Sequence, residues 1–400
     1  ATTSNDPGEQ FTLSGSLSGS GTITKDGTKG RLRVTGDNSA FTGNWILDGG
    51  VSTSYFRIDA DNNLGAAPVS AVNNITVNGN NTMEFGPGTF TLHENRNILL
   101  NSGTLRLSVT NWNSKVTIEG DITGAGGIER ANDKGDVPYI KLSGNNTYTG
   151  RTKVSSGRLQ AGSNSAFGNN SEVVMGTGTY DNNGVLDLND FDNSIGSLSG
   201  GNATKGLVDL GSATLTTGGN DMSTNYAGVI YGTGGLAKVG TGTMTLDGDN
   251  TYTGTTTVSG GTLAIGAADR IADASNLVLN GGTFATNGFS EAMGTLLLSD
   301  NSTIDLGAGA SELSFLDSSA EAWASSITLS ILNFEEGVDS IRFGTDASGL
   351  TATQLSQITL NGGSAYIDAS GYLSAVPEPG SFALIGGFLA LGYVMTRRRK

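Results

Sequence analysis

The sequence predicts an all-β chain wound into stacked coils, and three observations carry that prediction. Apolar residues alternate with polar ones over short stretches, as at Leu186 and Leu188, Leu277 and Leu279, Leu296 and Leu298, and Ile304 and Leu306. That period of two marks strands with one buried face. Gly-Gly, Asn-Gly and Asp-Gly pairs break the stretches at Gly49-Gly50, Asn183-Gly184, Asp247-Gly248 and Gly281-Gly282, where strands must turn. The third observation is a long internal repeat.

The repeat is clearest at 235–266, GLAKVGTGTMTLDGDNTYTGTTTVSGGTLAIG. A second copy at 127–162 reads GIERANDKGDVPYIKLSGNNTYTGRTKVSSGRLQAG, with a longer early loop at 131–138. A degenerate third copy lies at 21–50, where Phe41 stands in place of the tyrosine. The anchors run Asn38 to Gly43, Asn145 to Gly150 and Asp249 to Gly254, so the closing glycines are 107 and 104 residues apart. Each anchor is followed by a strand-like stretch and a short turn: Asn63-Leu64-Gly65, Ala166-Phe167-Gly168 and Arg270-Ile271-Ala272. Turn signals every 8 to 12 residues alone also fit a sandwich or barrel. The long period argues against both. Coils of roughly 20 to 25 residues place four or five windings in each period.

Composition agrees. The chain has 400 residues with 62 glycines and only six prolines, and no Gly-X-Y period, which excludes collagen. Ser, Thr, Asn and Gly interleave with single aliphatic residues, turn chemistry alternating with strands. Cysteine is absent, so disulfides and thiolate chemistry are excluded. Acidic residues outnumber basic ones by 37 to 22. Without the four terminal cations that becomes 37 against 18, a net charge near −19 for residues 1–396. Such a surface repels nucleic acid.

The elements follow in order. Residues 1–10 are a short leading segment; Ala1 opens with neither Met nor a signal-peptide pattern, and a secretory leader is expected to have been removed before it. Residues 11–312 hold the coils, each burying its aliphatic side chains only by stacking on its neighbours, with Thr and Asn at matching turn positions forming hydrogen-bonded ladders. Tyr148 and Tyr252 occupy equivalent repeat positions and read as turn-packing residues. Residues 313–375 change character. Ser318-Ser319-Ala320-Glu321 and Thr351-Ala352-Thr353-Gln354 fit the capping box of a short helix. Strands are expected at Ile327 to Phe334, Ser340 to Phe343, Ile358 to Leu360 and Ala365 to Asp368. This α+β segment reads as a cap over the open edge of the coil stack, with Trp323 packed under one helix.

The three repeat copies resemble the autotransporter-associated β-strand repeat, also called the passenger-associated transport repeat. The resemblance implies a right-handed parallel β-helix, as in autotransporter passenger domains. No membrane barrel of the autotransporter kind is evident in the sequence; a different tail stands in its place.

That tail, 376–400, reads Val376-Pro377-Glu378-Pro379-Gly380, an apolar run from Phe382 to Met395, then Arg397-Arg398-Arg399-Lys400. The two prolines separate it from the preceding domain. Residues 381–396 carry no charge and suit a membrane helix of about 24 Å, close to one hydrocarbon core, with the cations on the cytoplasmic side. The order of parts resembles the PEP-CTERM sorting signal of Gram-negative bacteria. That resemblance implies an exosortase as partner, cleavage near Val376, Pro377, Glu378 and Pro379, a precursor anchored in the inner membrane, and a product at the cell surface or released. A permanent single-span anchor is the alternative.

Chemistry is sparse. His93 is the only histidine and sits in no nucleophile motif, so it reads as a loop residue; zinc sites built from His and Cys are excluded. Carboxylates cluster at Asp59 and Asp61, at Asp187, Asp190 and Asp192, and at Asp247 and Asp249. Paired carboxylates suit glycosidic acid/base work, but Asp and Asn are also default corner residues, the reading preferred here. Asp59, Asp61 and Asn63 are weak calcium candidates, with oxygens at alternating positions but Leu64 where an EF-hand needs glycine and Ser70 where it needs its distal Glu. No catalytic residue and no cofactor are expected. The functional expectation is an exported surface or matrix protein whose regular wall contacts polysaccharide, other surface proteins, another cell or its own copies, in adhesion or biofilm association. The alternatives are a β-helix polysaccharide lyase or glycoside hydrolase, and a passive export passenger.

Overall fold

A computed structural model of the chain describes residues 10–27, 30–49, 54–131, 138–168, 170–177 and 183–376. The chain is a parallel β-solenoid. One wall is an 18-stranded sheet running from Gln10–Leu13 to the last strand, Leu373–Ala375. Its strands pair in parallel from coil to coil: Arg31 lies opposite Tyr55, Tyr55 opposite Thr82, and Thr82 opposite Arg106. A winding takes from 19 residues (Thr243 to Thr262) to 30 (Trp45 to Ile75), bracketing the length expected from the turn signals.

The second wall begins as a two-stranded pairing, Ser18–Gly19 with Ala40–Phe41, continues as a seven-stranded sheet from Thr89–Leu92 to Ile230–Tyr231, and ends in three strands from Glu291–Met293 to Ser340–Phe343. The third starts with five strands, Ile23–Asp26 through Ile122–Gly124, and resumes with six, Asn193–Ser194 through Leu296–Asp300. In strand after strand the inward positions are buried and the outward ones half-exposed, as in Arg31–Val34, Tyr139–Leu142 and Thr243–Leu246. The alternation read from the sequence is therefore the alternation between core and solvent. Inward residues stack into rows along the axis, such as Leu32, Phe56, Met83 and Leu107.

Parallel pairing does not stop at residue 312. Glu312–Phe315 pairs with Ser340–Phe343, and Leu329–Leu332 with Ile358–Leu360. The reversal comes only afterwards, where Gly363–Ile367 runs antiparallel to Ile358–Leu360 and to Leu373–Ala375. The single α-helix among the described residues is Ala352–Ser356, closed by the expected box of Thr351 and Gln354. No helix forms at Ser318. Its hydroxyl instead accepts the Leu296 N–H, and Glu321 accepts from the Thr295 hydroxyl. Both halves of that box are used to tie down the previous winding, and a capping box needs both. Trp323 is half-buried and donates its indole N–H to Leu296 O at 2.9 Å. Among the described residues no helix is long and apolar enough to cross a membrane. The expected span at 381–396 lies outside the described residues.

Candidate functional site: repeat anchors and a cationic groove

One asparagine of each anchor, Asn38, Asn146 or Asn250, is a clamp across three windings. Asn250 Oδ1 accepts the Ile230 N–H at 2.8 Å from the winding before, while its amide donates to Arg270 O at 2.9 Å on the winding after. Asn146 does the same with Ile122 N–H and Ala166 O, both at 2.8 Å. Asn38 does so with Leu17 N–H at 2.7 Å and Asn63 O at 2.6 Å. All three are buried. Their acceptors, Asn63, Ala166 and Arg270, open the three short turns singled out in the sequence. A side chain with both a donor and an acceptor is needed here.

A hydroxyl relay follows. Tyr252 Oη lies 2.7 Å from Thr256 Oγ1, which lies 2.9 Å from Ser275 Oγ, which donates to Gly254 O at 2.7 Å. Tyr148, Thr152, Ser171 and Gly150 repeat it at 2.7, 3.0 and 2.7 Å. Each hydroxyl has one proton, so the last bond fixes the direction: tyrosine donates to threonine, threonine to serine, serine to the closing glycine. In the degenerate copy Phe41 faces Trp45 edge-on at 5.9 Å, and Trp45 donates to Leu64 O. Asn74 takes the serine's part by donating to Gly43 O at 3.0 Å. Aromatic packing there replaces the relay while the closing glycine stays tied.

A third shared feature was missed in the sequence. Lys25, Arg130 and Lys238 occupy matching places, the last residue of Ile23-Thr24-Lys25, Ile128-Glu129-Arg130 and Leu236-Ala237-Lys238, and all three are buried. They stand in inward rows; Arg130 lies between Leu107 and Val154. Backbone carbonyls and a serine hydroxyl receive them. Lys238 Nζ donates to Val239 O at 2.7 Å and to Gly240 and Gly260 O. Lys25 Nζ donates to the Ser54 hydroxyl at 2.5 Å, and the Arg130 guanidinium to Ala131 and Arg158 carbonyls. Burial pushes Arg130 down to about 9 and lowers both lysines. A spaced cation among glycines was the available signal.

The anchors do not share one wall. The first and third follow long-wall strands, Arg31–Val34 and Thr243–Leu246, and lie on the second wall; Thr42 N bonds to Gly19 O, and Thr251 N to Ile230 O. The second follows Tyr139–Leu142 of the second wall and lies on the third, with Thr147 N bonded to Ile122 O. The repeat thus builds the same clamp and relay at two faces of the solenoid.

Outward positions of the long wall carry the charge. Arg31, Tyr55, Thr82, Arg106, Glu129 and Lys153 form one axial row. Arg31 stacks over the Tyr55 ring at 4.2 Å. Arg106 and Lys153 share Glu129 at 3.2 and 3.1 Å, and Arg151 meets Glu172 at 2.8 Å. Burial works to raise Glu129, but the Ser155 hydroxyl and the two cations hold it below the usual carboxylate range. An open groove of about 390 Å³ runs along this row, lined by Tyr55, Asn80, Thr82, Thr104, Arg106 and Arg151 among others. Residues 1–160 hold 14 Lys or Arg against 14 Asp or Glu, whereas residues 161–376 hold 4 against 22. The groove therefore lies on the neutral half of a strongly acidic chain.

The sequence candidates fall elsewhere. Asp59 lies between Arg33 and Arg57, and burial, which raises it, is outweighed by these two guanidinium groups, which hold it low. Asp61 pairs with buried Arg96, and Asn63 Oδ1 accepts from Asp59 and Ala60 N–H. The oxygens of this trio are occupied by arginines and amides, and no group of three or more metal-ligating side chains occurs among the described residues. Asp190 and Asp192 receive N–H groups of Ser212 and Thr214 on the next winding, and Asp187 pairs with Arg158. His93 sits in a turn where its Nδ1 accepts the Asn95 N–H. Val376 is half-exposed and bonded through its N–H to Ser364 O; Pro377, Glu378, Pro379 and Arg397 to Lys400 lie outside the described residues.

Comparison with known proteins agrees with the anchors. The passenger-associated-transport-repeat family matches residues 23–51, 141–161 and 236–265. These three segments are similar to passenger-associated transport repeats. The second of these repeats is matched only from beyond the insertion at 131–138. The chain is 32% identical over 346 residues, 80% of its length, to the adhesin BmaC autotransporter of Brucella suis biovar 1. It is 33% identical over 108 residues, 27% of its length, to the uncharacterized protein YuaQ of Escherichia coli K12. It spans only 10% of the first relative and 7% of the second. No solved structure matches it.

Proposed function

We propose that this chain is an exported, surface-displayed, adhesin-like passenger whose solenoid wall makes the contact. One observation carries the reading: 80% of the chain aligns with an autotransporter adhesin, and the aligned chain is a solenoid. Function then resides in an extended outer face rather than an enclosed pocket, because stacked windings fill the interior with side chains. Dispersed carboxylates, each held by an amide, hydroxyl or arginine on a neighbouring winding, favour this role over glycan cleavage, which needs two carboxyl groups facing one bond. The test is display and contact together. Antibody against the solenoid is expected to label intact cells producing the full chain, and those cells to adhere better than cells lacking it. Absence of surface labelling contradicts the reading.

Residues 361–376 serve as the end cap, turning the last strand edge back on itself. Residues 376–400 act as a sorting signal cut by an exosortase; the order of Pro-Glu-Pro, apolar run and basic cluster supports this. Mass spectrometry of surface-released protein is expected to find a terminus near Pro377 to Gly380. Intact Arg397 to Lys400 in that material contradicts cleavage.

A further inference from the structure

Resting on the adhesive reading above, we propose that the axial groove on the long wall is a binding site for a carboxylate-bearing polysaccharide. Three observations point there. The groove is linear: Tyr55, Thr82, Arg106, Glu129 and Lys153 stand one strand apart, so it covers about 19 Å along the axis at ~4.8 Å per step. A chain ligand laid along the solenoid meets a new side chain at each winding.

Its chemistry is mixed in the way a charged sugar requires. Tyr55, already backed by Arg31, offers an aromatic ring. Half-exposed Thr104 offers a hydroxyl to sugar hydroxyls, its own N–H being held by the Asn80 side chain at the groove edge. The side chains of Arg106 and Lys153 are each 46% exposed, whereas their shared partner Glu129 is only 12% exposed; Arg151, 59% exposed, pairs with Glu172 beside them. Two cations thus share one recessed carboxylate and keep unused donors pointing outward, where a ligand carboxylate completes their bonding.

The setting selects against denser polyanions. The groove sits in the half with 14 basic and 14 acidic residues, next to a half with 4 and 22. Nucleic acid, with a charge at every phosphate, is repelled by that neighbouring surface. A glycan with spaced carboxylates engages the groove without crowding charge against the acidic windings.

The experiment is calorimetry of the full chain with oligogalacturonate, with neutral dextran and single-stranded DNA as comparisons, at low and raised salt. Oligogalacturonate is expected to bind, to bind at least tenfold more tightly than dextran or DNA, and to weaken with salt. Arg106→Gln with Lys153→Gln is expected to weaken it roughly tenfold. Because that pair leaves Glu129 without a cation, held only by the Ser155 hydroxyl, a triple variant adding Glu129→Gln removes the uncompensated charge and is expected to show the same loss. No binding of oligogalacturonate, equal binding of dextran, tighter binding of DNA, or unchanged affinity in a folded triple variant overturns the proposal. Cells displaying the unaltered chain separate the two readings: adhesion without oligogalacturonate binding sinks the groove alone, while absent surface display sinks the adhesive reading.

Discussion

Tyr252 and Thr256, four residues apart in one winding, meet through their hydroxyls at 2.7 Å inside the solenoid. The tyrosine is fully buried, and that burial pushes its hydroxyl well above the usual phenol range, so it stays a neutral donor. The relay it starts ends on the carbonyl of the closing glycine, and position in the relay decides what each member contributes. Tyr252→Phe removes only the first donor and is expected to cost about 1 kcal/mol; Ser275→Ala strands both the Gly254 carbonyl and the Thr256 donor and is expected to cost about twice that or more. Urea unfolding of the two variants checks the order, and a larger loss for Tyr252→Phe contradicts the assigned direction.

Asn250 is expected to be the least replaceable anchor side chain. Asn250→Ala leaves the Ile230 N–H and the Arg270 carbonyl without their side-chain partner, for a loss of about 3 kcal/mol. Asn250→Asp keeps the acceptor but loses the donor, and is expected to fall in between only when the pH is low enough to protonate it. Equal stability of all three proteins across pH argues against the clamp.

The closing glycines are fixed by proximity rather than by a left-handed backbone. A Cβ at Gly254 comes within 2.3 Å of Gly234 O, and one at Gly150 within 2.4 Å of the Gly126 backbone. Gly254→Ala must push two windings apart, and an expected loss of about 3 kcal/mol follows. A thermal shift near zero on calorimetry would show that the windings are less tightly stacked than described.

Glu291 gives the fold an unusual pH response. It is buried, and burial lifts it from 4.5 to about 7 although the Arg270 and Ile271 N–H groups work the other way; Asp269 and Asp273 add to the rise. A carboxyl whose folded value is raised contributes stability fully present below its unfolded value and lost as pH climbs through the folded one. Stability attributable to Glu291 therefore declines between about pH 4.5 and 7. Asp59 and Glu129, both lowered, lose their contributions in more acidic solution. Glu291→Gln is expected to raise the melting temperature at pH 8 and leave it nearly unchanged at pH 4.5. A variant less stable at pH 8 contradicts the shift.

Much of the fold was legible because each repeat anchor sets an aromatic residue two before its closing glycine and an asparagine two or three before the aromatic, and each residue does one job. The strands Ser340–Phe343 and Ile358–Leu360 also fall where alternation put them. Other features depend on neighbours distant in sequence. Ser318 and Glu321 carry a sound local helix signal, but bonds to Leu296 and Thr295 outcompete it. The stack runs past residue 312 because Leu329 and Ile331 still find inward partners in Ile358 and Leu360. Lys25, Arg130 and Lys238 look like surface charges, since polarity alone gives no hint that carbonyls will cage them. The groove was invisible for the same reason: Tyr55, Arg106 and Lys153 lie far apart in sequence and are joined only by register.

Parallel stacking in register underlies every statement about clamp, relay and groove. The chain has no cysteine, so pairs of spin labels can be placed at will. Thr243, Thr262, Thr283, Thr303, Ser330 and Thr359 form one outward row. Double electron–electron resonance on Thr243→Cys with Thr359→Cys is predicted to report backbone positions about 24 Å apart, five steps of ~4.8 Å, with Thr243→Cys and Thr303→Cys at about 14 Å. Distances that do not lengthen with the number of intervening windings would contradict the solenoid.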